Sequence, residues 1–288
     1  VNDLYNFINF KYFCDAVRLG SLSAAARANF VTQSAVSQGI AKLEKSLGFS
    51  LLVHQPNRFK LTPEGEATFN YALTILNRIG EFKNSFSNKG EPIVGNLEFV
   101  TTFSFATAVL PRYLKRFRKE HPRSKINFGL GKNDEIKKMV SIGKIDFGIL
   151  PDEGDLDEFE KKEIYSGSFK LYVSKKIAPS NYSKLGFIFA PAKRRETLLI
   201  KKGLAEAYAT HFKKKAEVIM EVGSWDVIVH LVAEGMGIGY FPDFFGVHHK
   251  GSLKELPLEI KSHPYTMCAI SHRDIPLRHS SKLFLSYF

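Results

Sequence analysis

Residues 32–48, "TQSAVSQGIAKLEKSLG", decide the fold. Val36, Ile40, Leu43 and Leu47 recur at steps of four, three and four, which draws one apolar stripe along a helix. At helical spacing Ser34, Ser37, Gln38, Ala41 and Lys45 fall on the opposite side. Thr32 is placed to cap the helix, its hydroxyl accepting an orphan backbone N–H. Gly48 is placed to stop it, because glycine enters the left-handed C′ conformation easily. The outward face is then short, flat and hydrogen-bonding, where an ordinary surface helix carries Glu and Lys. Short side chains let a helix approach another surface closely, and hydroxyl and amide groups suit phosphate oxygens and base edges in a major groove. On this reading Ser23, Thr32, Gln33, Ser34, Ser37, Gln38 and Lys42 are the candidate DNA contacts.

The flanks agree. Residues 23–29, "SAAARAN", read as a short helix capped by Ser23 or Ser21, its alanines removing bulk where a second helix crosses. "FVT" is a tight connection, and two helices joined this way form a helix-turn-helix whose second member enters the groove. Residues 4–18 read as a third amphipathic helix with Leu4, Phe7, Ile8, Tyr12 and Val17 as core. A polar-faced helical bundle without DNA contacts is the alternative that composition allows. After residue 48, "SLLV" and "FKL" are short β-like runs around Pro56-Asn57, a wing, with Arg58 and Lys60 where a wing touches the backbone or minor groove. Thr62 then caps a helix with Pro63 at its first position and Glu64 near its start. It is expected to run to about residue 88. Phe69, Ala72, Leu76, Ile79, Lys83 and Phe86 trace a coiled-coil-like seam, which makes Phe69, Ala72, Leu76 and Ile79 candidate dimerisation residues. Packing on the helix's own domain is the alternative.

The run from Phe10 to Glu66 resembles the N-terminal head of the LysR-type transcriptional regulators. The matching pieces are Gly20-Ser21, Ala25-Ala26, Ala35-Val36-Ser37, Ile40, Leu43-Glu44, Leu47-Gly48, Leu51, Leu61-Thr62 and Gly65, in register across the run. Two departures stand out. Leu51-Leu52-Val53-His54 replaces the usual Leu-Phe-x-Arg, which leaves Arg58 to carry the wing contact, and Phe30 stands where Leu is usual, a change expected to affect packing only. The resemblance implies an all-α winged helix-turn-helix domain at 1–61, a linker helix for dimerisation at 62–90 and an effector-binding domain at 91–288. That domain would be α/β with two lobes, like the periplasmic binding proteins: lobe I about 91–165 and 268–288, lobe II about 166–267. It further implies a bacterial, cytoplasmic homodimer or homotetramer on an interrupted inverted repeat of double-stranded DNA, with RNA polymerase as a candidate partner and no membrane.

The whole chain fits these bounds. Its 288 residues suit a head plus a larger partner. The net charge of +12 favours a polyanionic partner, but residues 1–90 hold 10 basic and 6 acidic side chains, so the basicity is not concentrated on the head. Cys14 and Cys268 are isolated, with no CxxC, disulfide framework or metal-ligand spacing. Family members that sense peroxide use a cysteine pair in the effector domain, and this chain has a single cysteine there. No signal peptide, membrane span or repeat is visible in the sequence.

Residues 85–96 read as a linker, and beyond it strands and helices alternate, which implies α/β units. One helix is expected at 106–121, and crossings between lobes near 151–170 and 262–272. A small molecule would lie beyond the carboxyl ends of strands. There "VTTFSF" places Thr101, Thr102 and Ser104 at a helix N-terminus, which favours an anion. This is similar to a Thr-Thr-x-Thr element that contacts an anionic effector in the family's cysteine-biosynthesis regulator; simple N-capping by Ser104 is the alternative. Gly131-Lys132, Pro151-Asp152, Ala190–Lys193 and Phe241-Pro242 end other strands, residues 192–196 form a basic run, and Trp225 is the chain's single tryptophan. The candidate effector residues are therefore Thr101, Thr102, Ser104, Lys132, Pro151, Ala190 and Trp225, with an anionic small molecule as effector and no cofactor or metal. No GxSxG, GxGxxG or GxxxxGK[ST] motif appears, and no catalytic residue is assigned. A solute-binding protein without a regulatory role is the alternative, against which the DNA-binding head argues.

Overall fold

The computed structural model describes residues 6–53, 59–86, 95–191, 195–256, 258, 260–261 and 263–288. Arg58, most of the expected linker and residues 192–194 of the basic run lie outside them. The chain forms two compact units: Val1–Thr102 with Tyr113–Lys162 and Cys268–Phe288, and Phe103–Arg112 with Glu163–Met267. Residues 103–112 thus leave the lobe to which the sequence assigned them.

In the first unit the head consists of α1 (Phe7–Leu19), α2 (Leu22–Ala28) and α3 (Gln33–Leu47). Local chemistry sets their ends. The Asn6 side chain accepts from the Ile8 N–H, Ser21 from Ala24, and Thr32 from Ala35. Gly20 and Gly48 follow α1 and α3 in the left-handed conformation. Of the two serines offered as cap for α2, Ser21 takes the role. Val36, Ile40 and Leu43 point into a core shared with Phe10, Phe13, Cys14, Ala25 and Ala26.

The expected core of α1 is corrected. Phe7 and Ile8 are 53% exposed, Tyr12 and Val17 are only partly buried, and Leu4 lies outside the described residues. Lys11, Asp15 and Arg18 mark one polar side of the helix, on which Phe7 and Ile8 also fall, and the stripe at Phe10, Phe13 and Cys14 faces the head's core. Phe30 is likewise no packing residue: it is 97% exposed with φ +55°, and Val31 turns inward instead. The β-like runs of the wing reduce to a single antiparallel bridge, Leu52 with Leu61, flanked by hydrogen bonds from the Val53 N–H to Lys60 O and from the Thr62 N–H to Leu51 O.

Helix α4 (Pro63–Phe86) follows. The same unit then holds β1 (Leu97–Thr101), parallel to β2 (Ile126–Leu130) on one side and β3 (Phe147–Pro151) on the other. Phe99 stacks on Phe128, Phe147 and Phe284. The single helix expected at 106–121 is two, α5 (Phe103–Ala108) and α6 (Leu110–Glu120). Pro111 lacks an N–H and is tolerated only in a first turn, so a helix restarts there. Helix α7 (Asn133–Ser141) connects β2 to β3.

The chain passes between units within β4 (Glu160–Ser174) and later within β9 (His263–Ser271), inside the stretches 151–170 and 262–272 where crossings were expected. The second unit places β5 (Phe187–Phe189) parallel to β6 (Val218–Glu221) and β7 (Ile238–Pro242), with β4 antiparallel to β7 and to β8 (Leu253–Glu255). Helices α8 (Arg195–Phe212), α9 (Trp225–Ala233) and α10 (Asp243–His248) connect or follow these strands, and α11 (His279–Leu285) returns to the first unit. Both cysteines are buried and neither is in a disulfide; burial pushes the Cys14 thiol up to about 12.

Candidate nucleic-acid interface and effector site

On α3, Thr32, Gln33, Ser34, Ser37, Gln38 and Lys42 are all exposed, opposite the buried stripe. They are not loose. The Gln38 amide donates to Ser34 Oγ at 3.3 Å, and the hydroxyl of half-buried Ser23 donates to Gln33 Oε1 at 2.7 Å. Helix α1 crosses α3 at Gly39, where a Cβ would come within 2.8 Å of the Tyr12 ring. That close approach fixes the angle at which α3 is presented.

A residue given no role in the sequence reading anchors the wing. Glu44 Oε1 accepts the N–H groups of Leu51 and Leu52, at 2.7 and 3.2 Å. Its signal was its place in the Leu43-Glu44 pair. Gly65 is a second such device: its N–H donates to Thr62 Oγ1, and a Cβ there would meet the Leu51 carbonyl oxygen at 2.1 Å.

The dimerisation seam is corrected. Phe69 and Ala72 are buried in the head's own core, with Phe69 edge-on to Phe13 at 6.4 Å, and Leu76 packs against the same cluster. Of the four candidates only Ile79, at 40%, is exposed. The heptad pattern was real, but it marks the inner face of α4. The outer face carries Tyr71, Ile75 and Ile79, and beside it an apolar groove of about 580 Å³ is lined by Phe7, Phe49, Tyr71 and Ile75.

In the first unit, the parallel register sets Thr101 against Leu130 and Ile149, so the carboxyl ends of β1, β2 and β3 share one edge. Thr101, Thr102, Lys132 and Pro151 stand along it. Thr101 is fully buried and its hydroxyl has no hydrogen-bond partner among the described residues. The backbone N–H of exposed Lys132 donates to Glu135, which caps α7. The Gly154 N–H, then the Lys161 ammonium, hold the Asp152 carboxyl below the usual carboxylate range.

In the second unit the expected anion contact at Ser104 is corrected. Ser104 lies inside α5 and does not cap it; its hydroxyl donates to Asp226 Oδ2 at 2.8 Å, and the Thr107 hydroxyl lies 3.0 Å from Asp226 Oδ1. The anion at this position is a carboxylate of the chain itself, in the first turn of α9, where the helix dipole favours it. Half-buried Trp225 meets Phe169 edge-on at 5.5 Å, and Ala190 follows the end of β5. The sequence reading missed Asp243. It accepts from the Tyr265 hydroxyl at 2.7 Å and the Ser168 N–H at 3.1 Å, and burial, then this bond, drives the Tyr265 phenol far above its usual range. Gly167 admits the pair, since a Cβ would meet both oxygens within 2.5 Å. Only the fold joins these residues, so no local motif announced them.

Among the described residues no group of His, Cys, Asp and Glu is arranged to hold a metal, and no helix is long and apolar enough to cross a membrane. The family described as LysR substrate binding domain matches residues 90–288, and the bacterial regulatory helix-turn-helix protein, lysR family, matches residues 8–66. The uncharacterized HTH-type transcriptional regulator YxjO of Bacillus subtilis is 24% identical over 253 residues, covering 87% of this chain and 85% of its own. The HTH-type transcriptional activator IlvY of Salmonella typhimurium is 25% identical over 254 residues, covering 84% and 82%. Two solved structures share the fold at a TM-score of 0.64 and 15% identity: a full-length OxyR variant from Pseudomonas aeruginosa, covering 99% of this chain and 95% of that one, and full-length LysG from Corynebacterium glutamicum with bound effector Arg, covering 98% and 97%. Family matches over both the head and the α/β part, on a chain folded as a helix-turn-helix followed by α/β units, place it in the LysR family, as a DNA-binding transcriptional regulator with an effector-binding domain.

Proposed function

We propose that this regulator binds an interrupted inverted repeat of double-stranded DNA as a homodimer. Gln33, Ser34, Ser37 and Gln38 read base edges, while Ser23, Thr32 and Lys42 take phosphates, with Arg58 added from the wing. The observation that carries this reading is the exposed, hydrogen-bonding face of α3 directly opposite its buried stripe. The outer face of α4 at Tyr71, Ile75 and Ile79, with the groove beside it, is the proposed dimer contact. Assembly of dimers into a tetramer and a contact with RNA polymerase follow the family. A small-molecule effector near Trp225 and Asp226 sets the activity; LysG, solved with bound effector Arg, supports a ligand of about that size. Because Asp226 already supplies the negative charge beside Ser104, the effector presents a neutral or positive group there.

Ser34→Ala and Gln38→Ala should each weaken binding to a site selected from random DNA by ~1–3 kcal/mol, with little change on unselected DNA. Equal losses on both would reassign the side chains to phosphates, and no loss on either would remove α3 from the groove. Ile75→Asp should separate the dimer, since an unpaired charge in an apolar contact is costly. An unchanged sedimentation profile would take this face of α4 out of the interface.

A further inference from the structure

A cavity of about 250 Å³ opens in the first unit between the start of β4, the end of β9 and α11. Ala269 and Leu285, 4% and 5% exposed, form its floor, with Phe147 and Ile270, both 0% exposed, packed behind them, and half-buried Leu277 also lines it. The rim is cationic: Lys161, Lys162 and Lys282, with Glu160 beside them. We propose that this cavity is a small-molecule site separate from the effector site described above, and that it takes an amphipathic monoanion, one ring or a short chain bearing a single carboxylate.

The ammonium groups are set for such a ligand. Lys162 Nζ donates to the Leu285 carbonyl at 2.6 Å, which holds it over the floor, and Lys161 Nζ pairs with Asp152 at 3.0 Å. An ammonium has three N–H donors, so each keeps two for a ligand oxygen. Glu160 and Asp152 against three lysines leave one net positive charge, which matches a single carboxylate better than a dianion. The floor argues against a bare inorganic anion, because the side chains of Ala269, Leu277 and Leu285 would face it with nothing to donate. The volume lies below the roughly 300–1,000 Å³ usual for drug-sized ligands, which limits the apolar body to one ring or a short chain.

The position gives an occupant a route to the head. Leu277 also lines the crevice where Arg18 of α1 meets residues 143–146, the Arg18 Nε donating to Gly143 O at 3.1 Å. Two residues earlier, Ile275 packs against the core that holds Phe69 and Leu73. A molecule seated against Leu277 therefore bears on the segment that touches the DNA-binding head.

Titration calorimetry on the full-length protein tests the site with cyclohexanecarboxylate, its uncharged amide and sulfate. Cyclohexanecarboxylate should bind at least ~10-fold tighter than the amide, consistent with one charged hydrogen bond, and sulfate should not bind. Lys282→Met, a change on the exposed rim, should weaken the carboxylate by a similar factor. Hydrogen exchange should show protection at 160–162, 269–271 and 277–285. Equal binding of acid and amide, no effect of Lys282→Met, no binding at all, or protection centred on Phe105 and Trp225 would each overturn the proposal. The DNA-binding and effector readings make no claim on Lys282, so they stand or fall separately.

Discussion

Replacing Glu44 with alanine removes the acceptor that ties the end of α3 to the base of the wing. Its Oε1 takes the Leu51 N–H at 2.7 Å and the Leu52 N–H at 3.2 Å, and Leu51 itself is fully buried. A hydrogen bond to a charged group contributes ~1.5–3 kcal/mol net. The shorter bond counts in full and the longer one in part, and the half-buried carboxylate pulls the sum down, giving ~2–3 kcal/mol for Glu44→Ala. Glu44→Gln keeps an oxygen in place without its charge and should cost ~1 kcal/mol. Hydrogen exchange reads this locally: a 2 kcal/mol loss raises the opening equilibrium of the 49–53 segment by ~30-fold. The far side of the head, at Ala16 and Ala25, should change less. Unaltered exchange at Leu51 and Leu52 in Glu44→Ala would refute the argument, and so would a Gln variant as damaged as the Ala one, since the charge would then account for the whole effect.

Gly65→Ala pits two effects against each other. Helix propensity favours alanine by ~1 kcal/mol, whereas the clash with the Leu51 carbonyl should cost ~1–3 kcal/mol together with the bond it accepts from Thr62. The head should melt earlier by circular dichroism, and a later melt would show that the carbonyl moves freely. His272 gives a pH dependence. Burial lowers its pKa from the ordinary 6.5, and its Nδ1 accepts the Asp274 N–H at 3.1 Å, which requires a neutral ring. Below about pH 6.5 the unfolded chain binds a proton that the folded one refuses, so stability is full above that pH and falls as the pH drops. His249 and His263 are lowered by burial as well, so His272→Gln should flatten the acid limb of the melting-temperature profile only in part. An unchanged limb would remove His272 from the account.

What the sequence could reveal follows the range of the forces involved. Thr32 and Gly48 act on neighbours within one turn, so the limits of α3 were legible from spacing alone. Periodicity names a stripe but not its partner. On α1 two stripes were available, and the small residues Ala25 and Ala26 across the contact selected the one through Phe10 and Phe13. On α4 the same ambiguity sent the seam at Phe69 and Ala72 into the head, leaving Tyr71 and Ile75 outside. The bond of Ser104 to Asp226 spans 122 residues, and that of Tyr265 to Asp243 spans 22. Neither has a local signature. The local spacing therefore suggested a ligand contact for Ser104, whose hydroxyl the fold gives to Asp226.

The two thiols have a practical consequence. Cys14 is 1% exposed and Cys268 is 0% exposed, and the Cys14 thiol, pushed up to about 12, holds almost no thiolate at neutral pH, the form that reacts with maleimides. The native protein is thus nearly silent to cysteine-directed dyes without removing either residue. A single cysteine introduced at an exposed position away from the DNA-contacting residues, such as Glu66 at the start of α4, would be the dominant labelling site on each chain. In a dimer that places one dye on each head, and the distance between them becomes a ruler for how far apart the two recognition helices stand on DNA.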